Sequence, residues 1–204
     1  MEEKTFIDSV PSGRYTNYMK QSDTSAATRH AILQATNRIL AERGSEGFTL
    51  DAVAREAGIS KGGLLYHFAS KRTLIQGMLD AMIARVETAL EEELAASGGD
   101  FLPAYIRASF RTDPGSDRLN QALTAAMSED PALVEPLRVH FRRMQDQIAS
   151  AAPTPEAGTL IRLALDGLWL SDLYGFAPPP QPLRDRLRDL LLSIARYEKE
   201  EENP

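Results

Sequence analysis

Twenty residues, Thr49-Leu-Asp-Ala-Val-Ala-Arg-Glu-Ala-Gly-Ile-Ser-Lys-Gly-Gly-Leu-Leu-Tyr-His-Phe68, constrain this chain more than any other stretch, because they spell two short helices around a glycine-centred turn. Thr49 is a good N-cap, and Leu50, Val53, Ala54 and Ala57 fall at the i, i+3, i+4, i+7 spacing that lines one helical face. Gly58 stands where a helix end needs the left-handed conformation. Ile59 can fill the angle between the helices, and Ser60 can cap a second helix whose apolar positions are Leu64 and Phe68. Ala54 and Ala57 are small on the face that meets the second helix, which permits a close crossing. These features together describe a helix-turn-helix DNA reader.

The Gly62-Gly63 pair is the irregularity in this pattern, since each glycine costs about 1 kcal/mol relative to alanine inside a helix. In a recognition helix the first turn lies nearest the bases, and residues without side chains let the backbone approach the DNA. The competing reading of Ser60-Lys61-Gly62-Gly63 is a flexible loop leading into a short helix.

A wider window makes the pattern specific. From Thr28 the chain reads Thr-Arg-His-Ala-Ile-Leu-Gln-Ala, then Leu40-Ala-Glu-Arg-Gly44, Phe48-Thr49, Ala57-Gly58-Ile59-Ser60-Lys61-Gly62, Leu65-Tyr66-His67-Phe68, and Lys71 before Leu74. This window resembles the N-terminal domain of the TetR/AcrR family of bacterial transcriptional regulators. The resemblance covers about a quarter of the chain; the remainder is similar to the family in length and in being helical.

The resemblance implies that Thr49 and Lys71 hold backbone phosphates, contacts that set register rather than sequence. It implies that Lys61, Gly62, Gly63, Leu65, Tyr66 and His67 face the DNA, while Leu64 and Phe68 point inward. Lys61 is the best candidate to donate to guanine O6/N7, with Tyr66 and His67 placed for phosphate or a thymine methyl. His67 also reads as a surface histidine without a partner.

Charge agrees with this placement. The net charge is −6, yet residues 1–24 carry −1, residues 25–75 carry +3 and residues 76–204 carry −8. Positive charge sits where the reading motif sits, and the acidic remainder discourages indiscriminate binding to phosphate. A surplus of three also fits ordinary scatter. The 204 residues, 43% hydrophobic, suffice for one sizeable core or two modest ones. There is no cysteine, which excludes disulfides and thiolate metal sites. No apolar leader follows Met1-Glu-Glu-Lys and no apolar run of membrane-spanning length occurs, so a cytoplasmic protein without a membrane partner is expected.

The expected fold is all-α, with about nine helices in an N-terminal three-helix helix-turn-helix domain and a C-terminal helical ligand-binding and dimerisation domain. Residues 1–24 are expected as a flexible arm, 25–72 as the DNA-binding domain and 73–204 as the regulatory and dimerisation domain. In the arm, Arg14, Tyr15, Tyr18 and Lys20 fit either DNA contact or a solvated tail. A first helix should run from near Ser25 to Arg43, burying Ile32, Ala35, Ile39 and Leu40. A long helix should start at Lys71 after the N-cap Ser70, with Leu74, Met78, Ala81, Met82, Val86, Leu90 and Leu94 inward, and end near Ser97-Gly98-Gly99. Helices are expected at 100–111, at 116–128, and at 131–149 with Pro136 bending or dividing it.

Two last segments differ in character. Between Pro155 and Tyr174 the chain is apolar on nearly all sides, and after Pro178-Pro179-Pro180 a final helix carries an apolar stripe. Leu160, Ala164 and Leu168 of the first, with Leu183, Leu187, Leu190, Leu191 and Ile194 of the second, are the candidate homodimer interface, a four-helix contact in the family. An intramolecular hairpin completing a monomer is the alternative. Phe101, Tyr105, Phe110, Met127, His140, Phe141, Met144, Trp169 and Tyr174 are the candidate lining of an effector pocket, and aromatic residues at helical spacing equally serve a plain core.

The function expected is a ligand-responsive transcriptional regulator: a homodimeric repressor of palindromic, double-stranded operator DNA, released by an unidentified small-molecule effector. No enzyme is expected, for the chain lacks a cysteine nucleophile, a Gly-x-Ser-x-Gly elbow, a phosphate loop and a dinucleotide fingerprint. His30, His67 and His140 are too scattered to suggest a metal, and no cofactor is implied. The runner-up is a helical small-molecule sensor or adaptor acting mainly through protein contacts.

Overall fold

The computed structural model describes residues 12–44, 47–111, 120–121, 123–124, 126–127 and 130–196, with side chains from residue 24 onward. Its elements are α1 (Ser12–Arg43), α2 (Leu50–Glu56), α3 (Lys61–His67), α4 (Lys71–Ala96), α5 (Phe101–Ser109), a 3-10 turn (Pro131–Val134), α6 (Glu135–Ala151), α7 (Pro155–Tyr174) and α8 (Gln181–Ala195). Described residues between 120 and 127 are helical, and no strand occurs among the described residues. The fold is all-α.

Local chemistry sets these boundaries. Thr49 Oγ1 accepts from the Ala52 N–H at 3.1 Å and Ser60 Oγ from the Gly63 N–H at 3.0 Å, so each reading helix begins on a side-chain cap. Ser70 and Thr73 form a reciprocal capping box at the start of α4. Gly58 ends α2 at φ +68°, a conformation closed to most side chains, and lets the Ile59 N–H return to the Ala54 carbonyl at 3.0 Å.

Several expectations need correction. The first helix begins at Ser12 rather than near Ser25, so the expected arm over 1–24 is helical from Ser12, and its residues 1–11 lie outside the described residues. No proline interrupts the chain between Pro11 and Pro103, and backbone hydrogen bonding can propagate where side-chain periodicity is weak. The side chains of Arg14, Tyr15, Tyr18 and Lys20 lie outside the described ones. Of the helix expected at 116–128, residues 116–119, 122, 125 and 128 lie outside the described residues. The helix expected over 131–149 is divided at Val134/Glu135, and Pro136 falls in the first turn of α6, where a missing N–H costs nothing.

The described residues form two apolar cores. The first gathers Ile32, Ile39 and Leu40 of α1, Phe48, Val53, Leu64 and Phe68 of the reading unit, and Leu74, Ile75, Met78 and Leu79 of α4. It also takes in Leu123, Leu133 and Leu137, so it does not stop at residue 72. The second contains Leu90, Leu102, Ile106, Met144, Ile148, Ile161, Leu165 and Leu191. Helix α4 contributes to both; between them Ala81 and Met82 are half-buried against the first core, whereas Val86, expected inward, is exposed.

Candidate nucleic-acid interface and partner face

The two short helices present their polar residues as their caps and apolar anchors dictate. Leu64 is fully buried and Phe68 nearly so, which fixes the roll of α3 and turns Tyr66 outward, 82% exposed. Leu65 is exposed as well, and His67 is half-buried with its ring edge-on to Tyr66 at 5.1 Å between centroids. The two glycines separate in role. A Cβ on Gly62 would meet only Ser60 Oγ, at 3.9 Å, so its surroundings are open to an approaching ligand. On Gly63 it would lie 3.3 Å from the same oxygen, so Gly63 leaves room for the cap whose proton it supplies.

Lys61, Thr49 and Lys71 are all exposed. Lys61 Nζ donates to Asp51 Oδ2 at 3.0 Å, bridging the two reading helices. Lys71 Nζ sits 4.7 Å from the Phe48 ring centroid, a cation–π contact that ties the start of α4 to the first core while leaving the ammonium accessible. Arg29 lies over the Phe68 ring at 5.0 Å. Sequence reading missed these three contacts, because each joins residues far apart in the chain; only the aromatic character of Phe48 and Phe68 hinted at them.

Among the described residues, the candidate effector residues divide between the two cores and the surface. Phe101 and Tyr105 stack at 6.3 Å, and with Phe110 and Met144 they belong to the second core, whereas Met127 packs against the first. His140 and Phe141 meet edge-on, and Phe141, Trp169 and Tyr174 are exposed. A polar cleft of about 190 Å³ is lined by Glu93, Ala96, Ser97, Asp100, Pro103, Arg107 and Arg196, none of them among the nine candidates. Helical spacing placed Tyr105 and Met144 in the packed interior and Trp169 and Tyr174 outside, as bundle geometry requires.

Half-buried polar groups link the helices around the second core. Arg162 pairs with Asp166 at 2.6 Å and donates to Gln145, which donates to Thr159 Oγ1 at 3.0 Å. Burial pushes the Asp166 carboxyl above its usual range against the pull of Arg162, and burial with Asp166 nearby raises the Tyr105 hydroxyl to about 12. Arg184 forks onto both carboxylate oxygens of Asp172, joining α8 to α7. Glu87 Oε1 meets both His140 Nδ1, at 3.5 Å, and the Arg143 guanidinium; burial lowers the His140 pKa, Glu87 pulls the other way and Arg143 adds to the lowering.

Four of the eight candidate dimer residues face out, three are half-buried and one is buried. Leu160, Leu163, Ala164 and Leu170 make an uncovered apolar side on α7, with Leu168 half-buried at its edge. On α8, Leu183 and Leu190 are exposed and Leu187 and Ile194 half-buried. Leu191 is buried in the second core, because its position rotates it toward α5 and α7, and Ile194 packs against that core as well. Among the described residues no helix is long and apolar enough to cross a membrane, and no group of three His, Asp or Glu side chains could hold a metal ion.

Two family descriptions match the chain: bacterial regulatory proteins, tetR family, over residues 32–78, and tetracyclin repressor-like, C-terminal domain, over residues 99–196. The chain is 25% identical over 162 residues to the HTH-type transcriptional regulator BetI of Rhizobium meliloti (strain 1021), covering 74% of this chain and 80% of BetI. A TetR-family member from Streptomyces coelicolor A3, SCO1917, shares the fold with a TM-score of 0.64 at 23% identity, over 83% of this chain and 99% of that one. The multidrug binding protein EbrR, solved with malachite green, does so with a TM-score of 0.61 at 23% identity, over 83% and 98%.

Proposed function

The chain belongs to the TetR family of transcriptional regulators, and on that footing we propose that it is a homodimeric repressor of a palindromic operator, released by a small-molecule effector. The observation that carries the DNA-reading half is the orientation of α3. Its apolar residues Leu64 and Phe68 are buried while Lys61, Gly62, Leu65 and Tyr66 remain available, with Thr49 and Lys71 exposed at neighbouring helix starts. Lys61 donates to a base edge, Tyr66 and His67 meet phosphate or a thymine methyl, and Thr49 and Lys71 hold phosphates. Gly62 lets the backbone come close and Gly63 serves the cap.

The uncovered apolar sides of α7 and α8 support dimerisation through these two helices. Two-fold symmetry then places two recognition helices about 34 to 36 Å apart, or a multiple, to match successive half-sites. An effector that alters that spacing weakens binding without touching DNA. EbrR, which shares the fold, was captured with a dye, and an effector site within the helices after α4 is proposed here by family analogy. The protein works in the cytoplasm, where its operator is. Residues 25–72 are proposed as the reading part and 73–204 as the regulatory and dimerising part, with the first core straddling the division.

Selection of duplexes from a random pool, followed by sedimentation of the free chain and its complex, tests this reading. A recovered palindrome bound by two chains supports it. Recovery of no preferred sequence favours the sensor or adaptor acting through protein contacts.

A further inference from the structure

We propose that Asp51 sets the sequence discrimination of this reader by engaging Lys61 in an ion pair that masks its charge from phosphates; the inference rests on the DNA-reading proposal above. Asp51 is the second residue of α2 and Lys61 the first of α3, so the pair spans the two reading helices beside the cap Thr49. Asp51 Oδ2 and Lys61 Nζ are 3.0 Å apart, and both side chains are more than half exposed. A carboxylate on a surface offered to a polyanion opposes binding, so its place next to the principal reading cation requires a reason.

The reason lies in the difference between the two kinds of contact Lys61 can make. Attraction to phosphate is Coulombic, indifferent to sequence, and accompanied by release of counterions from the DNA. A base contact depends on donors meeting acceptors such as guanine O6 and N7. An ammonium has three donors; with one given to Asp51, two remain for a base edge. The pair as a whole carries no net charge, so the sequence-independent term is reduced and the directional one is retained. Asp51 also limits the positions that a flexible four-carbon side chain samples, which favours a single base register.

The test measures binding of the full chain to a duplex selected from a random pool and to a random-sequence duplex, by fluorescence anisotropy over a salt series. Asp51→Asn should tighten binding to the random duplex by about two- to fivefold per subunit, the range that the weight of an exposed ion pair allows. The slope of log K against log salt should steepen by about 0.9 per subunit as one more counterion is released. The ratio of selected to random affinity should fall. Asp51→Ser, which keeps a polar residue in the first turn of α2, should behave alike, and in the Lys61→Ala background Asp51→Asn should lose its salt-slope increment.

Unchanged random-duplex affinity and slope in both Asp51 variants overturns the proposal. So does a slope increment that survives in the Lys61→Ala background, since Asp51 would then act by its own charge and not through Lys61. A wild-type chain that binds no duplex overturns the DNA-reading proposal and this one together; a wild-type chain that binds while the variants match it overturns this one alone.

Discussion

The ring of Phe68 occupies the space a side chain would need at Gly77: a Cβ added there would lie 2.5 Å from Phe68 Cε1 and 3.1 Å from an Arg29 guanidinium nitrogen. Phe68 closes the recognition helix and Gly77 is buried in α4, so the missing side chain lets α3 seat against the long helix.

The sign of Gly77→Ala follows from that contact. In an open helix interior the change stabilises by about 1 kcal/mol. Here overpacking against an aromatic ring should dominate and destabilise by about 1 to 3 kcal/mol. A lower urea midpoint is expected, and a raised one would show that Phe68 and Arg29 give way without cost.

Removing a reading contact differs from removing a phosphate contact. Lys61→Ala should weaken specific binding by about 1 to 3 kcal/mol and relax preference at one position of each half-site. Lys71→Ala should weaken all sequences alike and reduce the salt slope by about one. Competition against a panel of single-base operator variants checks both; an unaltered preference in Lys61→Ala would remove that residue from base readout.

The partner face admits a control within one helix. Leu160→Glu combined with Leu190→Glu changes positions exposed in the single chain, so the variant should keep its helical content while sedimenting as a monomer and losing only the stability that association supplies. Leu191→Ala, one residue along but buried, should instead cost about 2 to 5 kcal/mol. A double variant that stays dimeric would point to a different interface.

Acidification should act through His140. Its folded pKa lies below the ordinary 6.5, chiefly through burial, so as pH falls through 6.5 the unfolded chain takes up a proton that the folded chain resists. Stability from this residue is complete above that value and declines below it, despite the opposing pull of Glu87 and with the help of Arg143. Urea melts of wild type and His140→Gln at pH 7.5 and 5.5 should show the larger loss in the wild type. Equal losses would mean that the site relaxes enough to hydrate the ring.

The reading unit was legible because its information is local. Caps at Thr49 and Ser60, the left-handed Gly58 and the inward Leu64 and Phe68 are each decided within a few residues, and all appear where the chain implies. Legibility failed where position depends on what a helix packs against. Leu191 and Leu190 are neighbours in one apolar stripe, yet only packing against the second core decides that the former is buried and the latter exposed. Tyr105 and Trp169 are both large aromatics on helices, and nothing in their spacing tells interior from surface. Asp51 and Lys61 lie ten positions apart, and their meeting depends on the crossing of α2 and α3.

The leucines at 123, 133 and 137 that complete the first core bear on how such a reader can be transplanted. A cassette cut at residue 72 would leave behind these three and the buried Leu74, Ile75, Met78 and Leu79, uncovering Leu64 and Phe68 from the side that holds α3 in place. Grafting this DNA specificity onto another regulator therefore requires a recipient whose own helices supply matching apolar side chains, or a splice placed beyond Leu79 with those three leucines carried across as well.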